Sequence, residues 1–375
     1  MTVVDSALIV GGGTAGLTAA IALRRAGVDA EILEVKQDWT VLGSGVTMMG
    51  ATLRALKSLD LAEACVERGA GGDEVGIYDA VGVKLEGVPV PRIAGPELPS
   101  MSGIMRPSLH EMLVQAAEAE GTPVRLGSTI TALDQRDDGV EVTLDDGERR
   151  EYDLVIGADG VHSRVRELIF GDEYHPYFTG QLVWRAVVPR PVDYTELAMF
   201  YGPKNKAGIN AVSASHAYLF LADNDPATTR PPREEWPALL RELLTEFSGP
   251  VAEIRERITD PETVDCRPLQ ALLVPLPWHK GRVVLIGDAV HASTPQLAMG
   301  AGLAVEDSVV LAEELSSSDT VQDALTRFEE RRFDRCKMVV DNSIQLGVWE
   351  QHPDDPEADP GGLSGTSWAA LAEPF

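Results

Sequence analysis

A chain of 375 residues, 44% of them hydrophobic, has enough apolar mass for two or three domain-sized units, which excludes a small scaffold stapled by disulfides or metals. Its 59 acidic against 32 basic residues give a formal charge of −27, a field that repels nucleic acid and anionic membranes and argues against both as partners. The three cysteines show no CxxC spacing, no basic-then-apolar leader precedes the first apolar run, and no such run reaches about 18 residues; the expectation is a soluble, cytoplasmic-type protein without a metal site.

The first apolar run, 7–10, reads as a buried parallel strand. Gly11 then permits a tight turn, Gly13 lets the backbone approach a pyrophosphate, and Gly16 lets the next helix lie close to the strand. That helix is predicted over 14–25, ending at Gly27, a residue suited to a left-handed C-cap. A second strand over 28–34 closes on Glu34, 18 residues past Gly16, where a carboxylate can accept from a ribose and would repel a 2′-phosphate. Strand, helix, second strand and acidic end together predict a dinucleotide site.

Further along, Leu154-Val155-Ile156-Gly157 reads as another buried strand, followed by an acidic turn at Asp159-Gly160 and a helix starting near Ser163 and Arg166. Taken alone, the segment admits a second, less favoured reading as an ordinary strand-turn-helix with Asp159 as its cap. From 173 to 275 the composition turns β-branched and aromatic. Strands are predicted over 181–188, 197–201, 206–212 and 217–222. Asp225-Pro226 and Arg230-Pro231-Pro232 break this block before an amphipathic helix over 234–247. The nucleotide pattern resumes at Arg282-Val283-Val284-Leu285-Ile286-Gly287-Asp288-Ala289 and runs on to Pro295 and Gly300-Ala301-Gly302. The stretch 347–375, rich in Pro, Asp and Gly at its start, is expected to be irregular. The expected fold is therefore α/β: a Rossmann-like FAD-binding domain (1–172 and 276–346), interrupted by a mainly antiparallel substrate-binding sheet (173–275), with C-terminal helices.

The Gly11-Gly13-Gly16 turn, the Asp159-Gly160 segment and the Gly287-Asp288 segment, with Gly43-Ser44-Gly45-Val46 and Arg106-Pro107-Ser108-Leu109-His110 in support, resemble the single-component flavoprotein aromatic hydroxylases. This group includes para-hydroxybenzoate, salicylate, 3-hydroxybenzoate and 6-hydroxynicotinate hydroxylases. The resemblance runs to about residue 346. It implies FAD, held by Gly11, Gly13, Ala15, Gly16, Glu34, Gly45, Val46, Arg106, Ile130, Asp159, Asp288, Gly300 and Ala301. Within that set, Arg106 implies a contact to the phosphate and sugar region, and Asp288 one to the ribityl chain. Gly300 and Ala301 imply amides at the flavin pyrimidine edge. The implied reaction uses NAD(P)H as a transient reductant and O2, forming a flavin hydroperoxide that hydroxylates an electron-rich ring. A homodimer is among the implied assemblies.

The sequence also departs from the family pattern. Ala298-Met299-Gly300 stands where a Gly-Gln-Gly run is frequent, and Val35 where an Arg is. Substrate contacts are sought on the middle sheet, among Arg185, Tyr201, Lys206, Asn210 and His216, together with Pro295 beside the flavin. Lys206 reads first as a solvent-exposed lysine and second as a substrate anchor, and His216 first as a surface hairpin residue and second as a base; Tyr201 reads equally as a hydrogen-bonding or core aromatic, and Arg185 equally as facing substrate or an acidic neighbour. Epoxidation, oxidative decarboxylation, dehydrogenation, or flavin binding without catalysis remain open on this scaffold.

Overall fold

In the computed structural model, which describes residues 2–39, 43–191, 197–224 and 231–375, the apolar runs of the two outer segments lie side by side. They form a six-stranded sheet in the order His279–Lys280, Val283–Leu285, Leu154–Gly157, Ser6–Val10, Asp29–Glu34 and Val124–Leu126. All pairings are parallel except that of His279–Lys280 with Val283–Leu285. Leu8, Ile9, Ile32, Val155 and Val284 are fully buried, as strands covered on both faces require. Helix Thr14–Arg25 follows the first strand and ends at Gly27, whose φ of +90° only glycine adopts at little cost. It packs on helix Gly300–Ser317, where the hydroxyls of Thr18 and Ser308 lie 2.8 Å apart.

A second, seven-stranded sheet runs in the order Val264–Ala271, Tyr177–Pro189, His216–Asp223, Lys206–Ala211, Leu197–Tyr201, Glu74–Asp79 and Lys84–Pro89. Only Leu197–Tyr201 and Glu74–Asp79 pair in parallel. The sheet therefore takes in residues 74–89, which the sequence reading assigns to the nucleotide domain; nothing in their local pattern names the partner strand. The break expected at Asp225-Pro226 and Arg230 lies outside the described residues.

Period-two alternation gives this sheet two distinct faces. Trp184, Ala186, Phe200, Ala207, Ile209, Leu219 and Leu221 turn to one side and bury against Trp236, Leu240, Phe247 and Ile254 of the covering helices. Val183, Arg185, Met199, Tyr201, Lys206, Phe220 and Ala222 turn to the other, toward the nucleotide domain. A single-residue slip of register would exchange the two sets.

The chain past 347 is irregular over 352–359 and helical on either side of that stretch, where the composition suggests an irregular tail throughout. Helix Val321–Gln351 runs up to it, and Pro360–Ala372 form a last helix begun by Asp359, whose side chain accepts from the Gly362 amide. Pro360 sits at the first helical position, where its missing N–H costs nothing. The helix end is fastened by Arg54, whose guanidinium donates to the carbonyls of Leu371, Ala372 and Glu373, and by Arg335, which donates to those of Ala370, Leu371 and Glu373. Arg54→Ala is expected to raise amide exchange across 360–372 at least tenfold, because each lost bond contributes about 1 kcal/mol. Mass-resolved hydrogen exchange checks this; unchanged protection would assign the fastening to Arg335 alone.

Among the described residues no helix is long and apolar enough to cross a membrane. The three cysteines are buried and form no disulfide among the described residues, and burial pushes the Cys65 thiol up to about 12.

Candidate active site

Between the two sheets lies a cavity of about 1550 Å³, larger than the roughly 300–1,000 Å³ of a site for one drug-sized molecule. One end is built by the glycine turn. A Cβ on Gly11, whose φ is +111°, would lie 2.4 Å from the carbonyl oxygen of Ala158, and one on Gly16 only 1.9 Å from that of Gly11. A Cβ on Gly13 would meet nothing within 4 Å and would project into open space. Glu34 closes the turn: its Oε2 accepts from the Gly12 amide at 2.8 Å and its Oε1 from the Lys36 amide at 2.9 Å. Trp39 and His110 meet beside it at a tilt of 60°, with ring centroids 5.1 Å apart, and His110 Nε2 donates to the Gly12 carbonyl.

The first amides of helix Thr14–Arg25 open toward this end with no side-chain cap, the arrangement that favours an anion. Gly13, Ala15, Glu34, Gly45, Val46 and Arg106 line the cavity along its length. Asp288, Pro295, Gly300 and Ala301 line it as well. Asp288 is open to the cavity yet deep within the protein, so burial raises its carboxyl above the ordinary range despite the opposing charges of His291 and Arg106. Its turn is fixed from behind, since the Gly287 amide donates to Asp307 at 2.8 Å. Ala298, at the departure from the glycine-rich run, adopts φ +53°, a left-handed conformation that costs a non-glycine residue about 1–2 kcal/mol. Next to it, Ser293 Oγ, Thr294 Oγ1 and Gln296 Oε1 are buried without a partner among the described residues. Open space over Gly13, free helix amides and these unpaired atoms fit a long, polar-edged dinucleotide.

Two residues of the expected cofactor set stand elsewhere. Ile130 is buried on strand Ile130–Gln135 opposite Leu144, off the cavity, because alternation turns it into the core. The Asp159 carboxylate turns back on its own helix start, accepting from the Ser163 hydroxyl and from the amides of Arg164 and Val165 at 2.7 and 3.0 Å. Its neighbours Gly160, Val161 and His162 line the cavity instead.

On the sheet side, Arg185 lines the cavity and has no ion-pair partner among the described residues. Burial, then the nearby Arg106, holds its guanidinium down to about 10, against the pull of Tyr218 and Asp265. Tyr201 stands at the rim, half exposed. Lys206 is neither a free anchor nor a surface lysine; it is paired with Glu350. Asn210 is buried behind the wall, donating from Nδ2 to Thr47 Oγ1 at 2.7 Å. His216 turns to solvent at the hairpin, bonded to Ser215, because it opens its strand beyond the cavity's edge.

Other wall residues escape a local reading. Tyr218 has its hydroxyl 3.0 Å from Thr47 Oγ1, and Phe220 lies flat over Gly208. Both were detectable in principle, since they alternate with the core residues Leu219 and Leu221. Glu350, Trp349 and Trp368 come from the C-terminal helices, where no motif marks them.

The chain matches the FAD binding domain family over residues 5–343. It belongs to that family. YetM of Bacillus subtilis is 33% identical over 98% of this chain and 99% of its own. The 3-amino-4-hydroxybenzoate 2-monooxygenase PtmB3 of Streptomyces platensis is 31% identical over 93% and 89%. The crystal structure of Klebsiella pneumoniae HpxO complexed with FAD and uric acid shares the fold, with a TM-score of 0.84 at 23% identity over 98% and 93% of the two chains. This family member is an FAD-dependent monooxygenase.

Proposed function

We propose that the protein hydroxylates a small phenolic or N-heteroaromatic compound carrying one ionised group, with NAD(P)H and O2 as co-substrates. Arg185 carries this reading: a cation facing the cavity, with no ion-pair partner among the described residues, beside the apolar Val75, Ile77, Val88, Met199 and Phe220. A flat apolar body with one anionic group satisfies both features.

When bound, FAD supplies the redox and oxygen-activating chemistry. The chain's own contribution is binding, orientation and exclusion of water. Arg185 would hold a phenolate or carboxylate and favour the deprotonated, electron-rich ring. Tyr218, its hydroxyl held by Thr47, whose Oγ1 in turn accepts from Asn210, would offer a hydrogen bond at a set position. The apolar rows on either side would keep bulk water from the reacting edge. Three buried cysteines with no disulfide among the described residues suit a reducing compartment, and we place the enzyme in the cytoplasm.

The test is oxidation of NADH and NADPH by FAD-loaded protein across hydroxybenzoates, hydroxypyridines and phenols, with peroxide and oxygenated product measured together. Stimulated oxidation with label from 18O2 in the product supports the reading; stimulation without oxygen incorporation points to dehydrogenation on the same fold. Arg185→Met is expected to weaken binding of an ionised substrate roughly 10- to 100-fold, the worth of a charge-assisted hydrogen bond. Equal affinity in both proteins would remove Arg185 from the site.

A further inference from the structure

Helix Val321–Gln351 delivers one carboxylate into the cavity wall. Glu350 pairs with Lys206, and its Oε2 also accepts from Gln181 Nε2 at 3.0 Å and from Gln296 Nε2 at 3.2 Å. Its backbone carbonyl accepts from Asn224 Nδ2 at 2.9 Å. Both charged side chains are only about one-seventh exposed, at 15% and 14%. The carboxylate is thus held by one cation and two amides, contributed by two strands and by the turn after Pro295.

The sheet register relates this pair to Arg185. Lys206 lies opposite Ala222, which lies opposite Val183; Gly208 lies opposite Phe220, which lies opposite Arg185. Lys206 and Arg185 therefore sit two strands and two residues apart on one face, with Cα atoms about 12 Å from each other. Two long side chains reaching from those points could bracket a single substituted ring. In this protein only one of them is free to do so.

We propose that Glu350 is a specificity-determining residue: by neutralising Lys206 it leaves Arg185 as the one unpaired cation on the sheet's cavity face among the described residues, and so excludes ring substrates with a second anionic group. This rests on the one-anion reading above. A second carboxylate reaching for Lys206 would have to displace Glu350 from three donors, leaving two acids to share one ammonium group. The cost falls on the dianion alone, since a monoanion bound at Arg185 makes no such demand.

The experiment titrates FAD-loaded protein with 3-hydroxybenzoate and with 5-hydroxyisophthalate, following the flavin absorption bands. The wild type is expected to prefer the monoanion by at least 30-fold. Glu350→Gln keeps the shape and removes the charge, and should cut that preference at least tenfold. The neutral double variant, Lys206→Met with Glu350→Gln, should restore it, which a merely structural brace between helix and sheet would not do. An unchanged preference in Glu350→Gln, or a wild type that binds both compounds alike, overturns the filter. If Arg185→Met binds 3-hydroxybenzoate as well as the wild type does, or if the wild type does not bind it, the one-anion reading fails and the filter falls with it.

Discussion

Gly16→Ala is expected to purify without colour. Its Cβ would stand 1.9 Å from the carbonyl oxygen of Gly11, a backbone atom that cannot swing aside as a side chain would. Either the helix moves off the strand or the turn opens, and both displace the amides that face the cavity. Overpacking of this kind costs about 1–3 kcal/mol in fold stability, and more where backbone meets backbone. Gly13→Ala separates the two effects. Gly13 has φ −79° and ψ −169°, which alanine adopts freely, and its Cβ would touch no protein atom. That variant should keep the melting temperature of the FAD-free protein while weakening FAD binding tenfold or more, by filling space that the bound group needs. Flavin absorbance per protein, with thermal melts in the presence and absence of added FAD, checks both. Full flavin retention by Gly16→Ala would remove the turn from the cofactor site.

Arg332→Met is expected to be the most destabilising single change. Arg332 is completely buried, bonding Asp307 from Nε and Glu306 from Nη1, both at 2.8 Å, and both carboxylates are themselves fully buried. Arg335 still serves Glu306, and His291 still serves Asp307 at 2.6 Å. Breaking a buried pair from one side costs about 3–5 kcal/mol. At roughly 2 °C or more per kcal/mol for chains of this size, the melting temperature should fall by about 6–10 °C. Because Asp307 also holds the Gly287 amide, the Asp288 turn should loosen with it and flavin affinity should drop.

The pH dependence has a defined sign. Burial alone would raise Asp307, but His291 and Arg332 overcome it and hold the carboxyl at about 2, below its ordinary 3.8. Its contribution is therefore present above the ordinary value and is lost as pH falls toward 2. For His291, burial disfavours the charge, yet Cys336 and Asp307 lift it well above the ordinary 6.5. That contribution is present below 6.5 and is lost as pH rises through the raised value. Stability should thus be flat between these limits, and Arg332→Met should move the acid arm to higher pH. Melts from pH 3 to 9 test this; an unmoved acid arm would mean that His291 alone holds Asp307.

What the amino-acid sequence determines by itself is local. The glycine spacing at 11, 13 and 16 prescribes backbone that only small residues permit, and the strand, helix and second strand around it are covalently close enough to be read together. Alternation over 181–188, 206–212 and 217–222 likewise dictates that each strand has two faces. The tertiary structure decides which face meets what. Lys206 finds Glu350 from 144 residues away, on a helix turn that no motif marks. Residues 74–89 join a sheet whose other strands begin near 177, and Ile130 and His216 turn away from the site because of register and strand position. The last helix forms at a composition that reads as irregular, because Arg54 and Arg335 supply the hydrogen bonds its C-terminal carbonyls lack. A periodicity of 2 or 3.6 specifies that a residue points to one side of its own element. It carries no information about the partner on that side, which depends on packing between elements far apart in the chain.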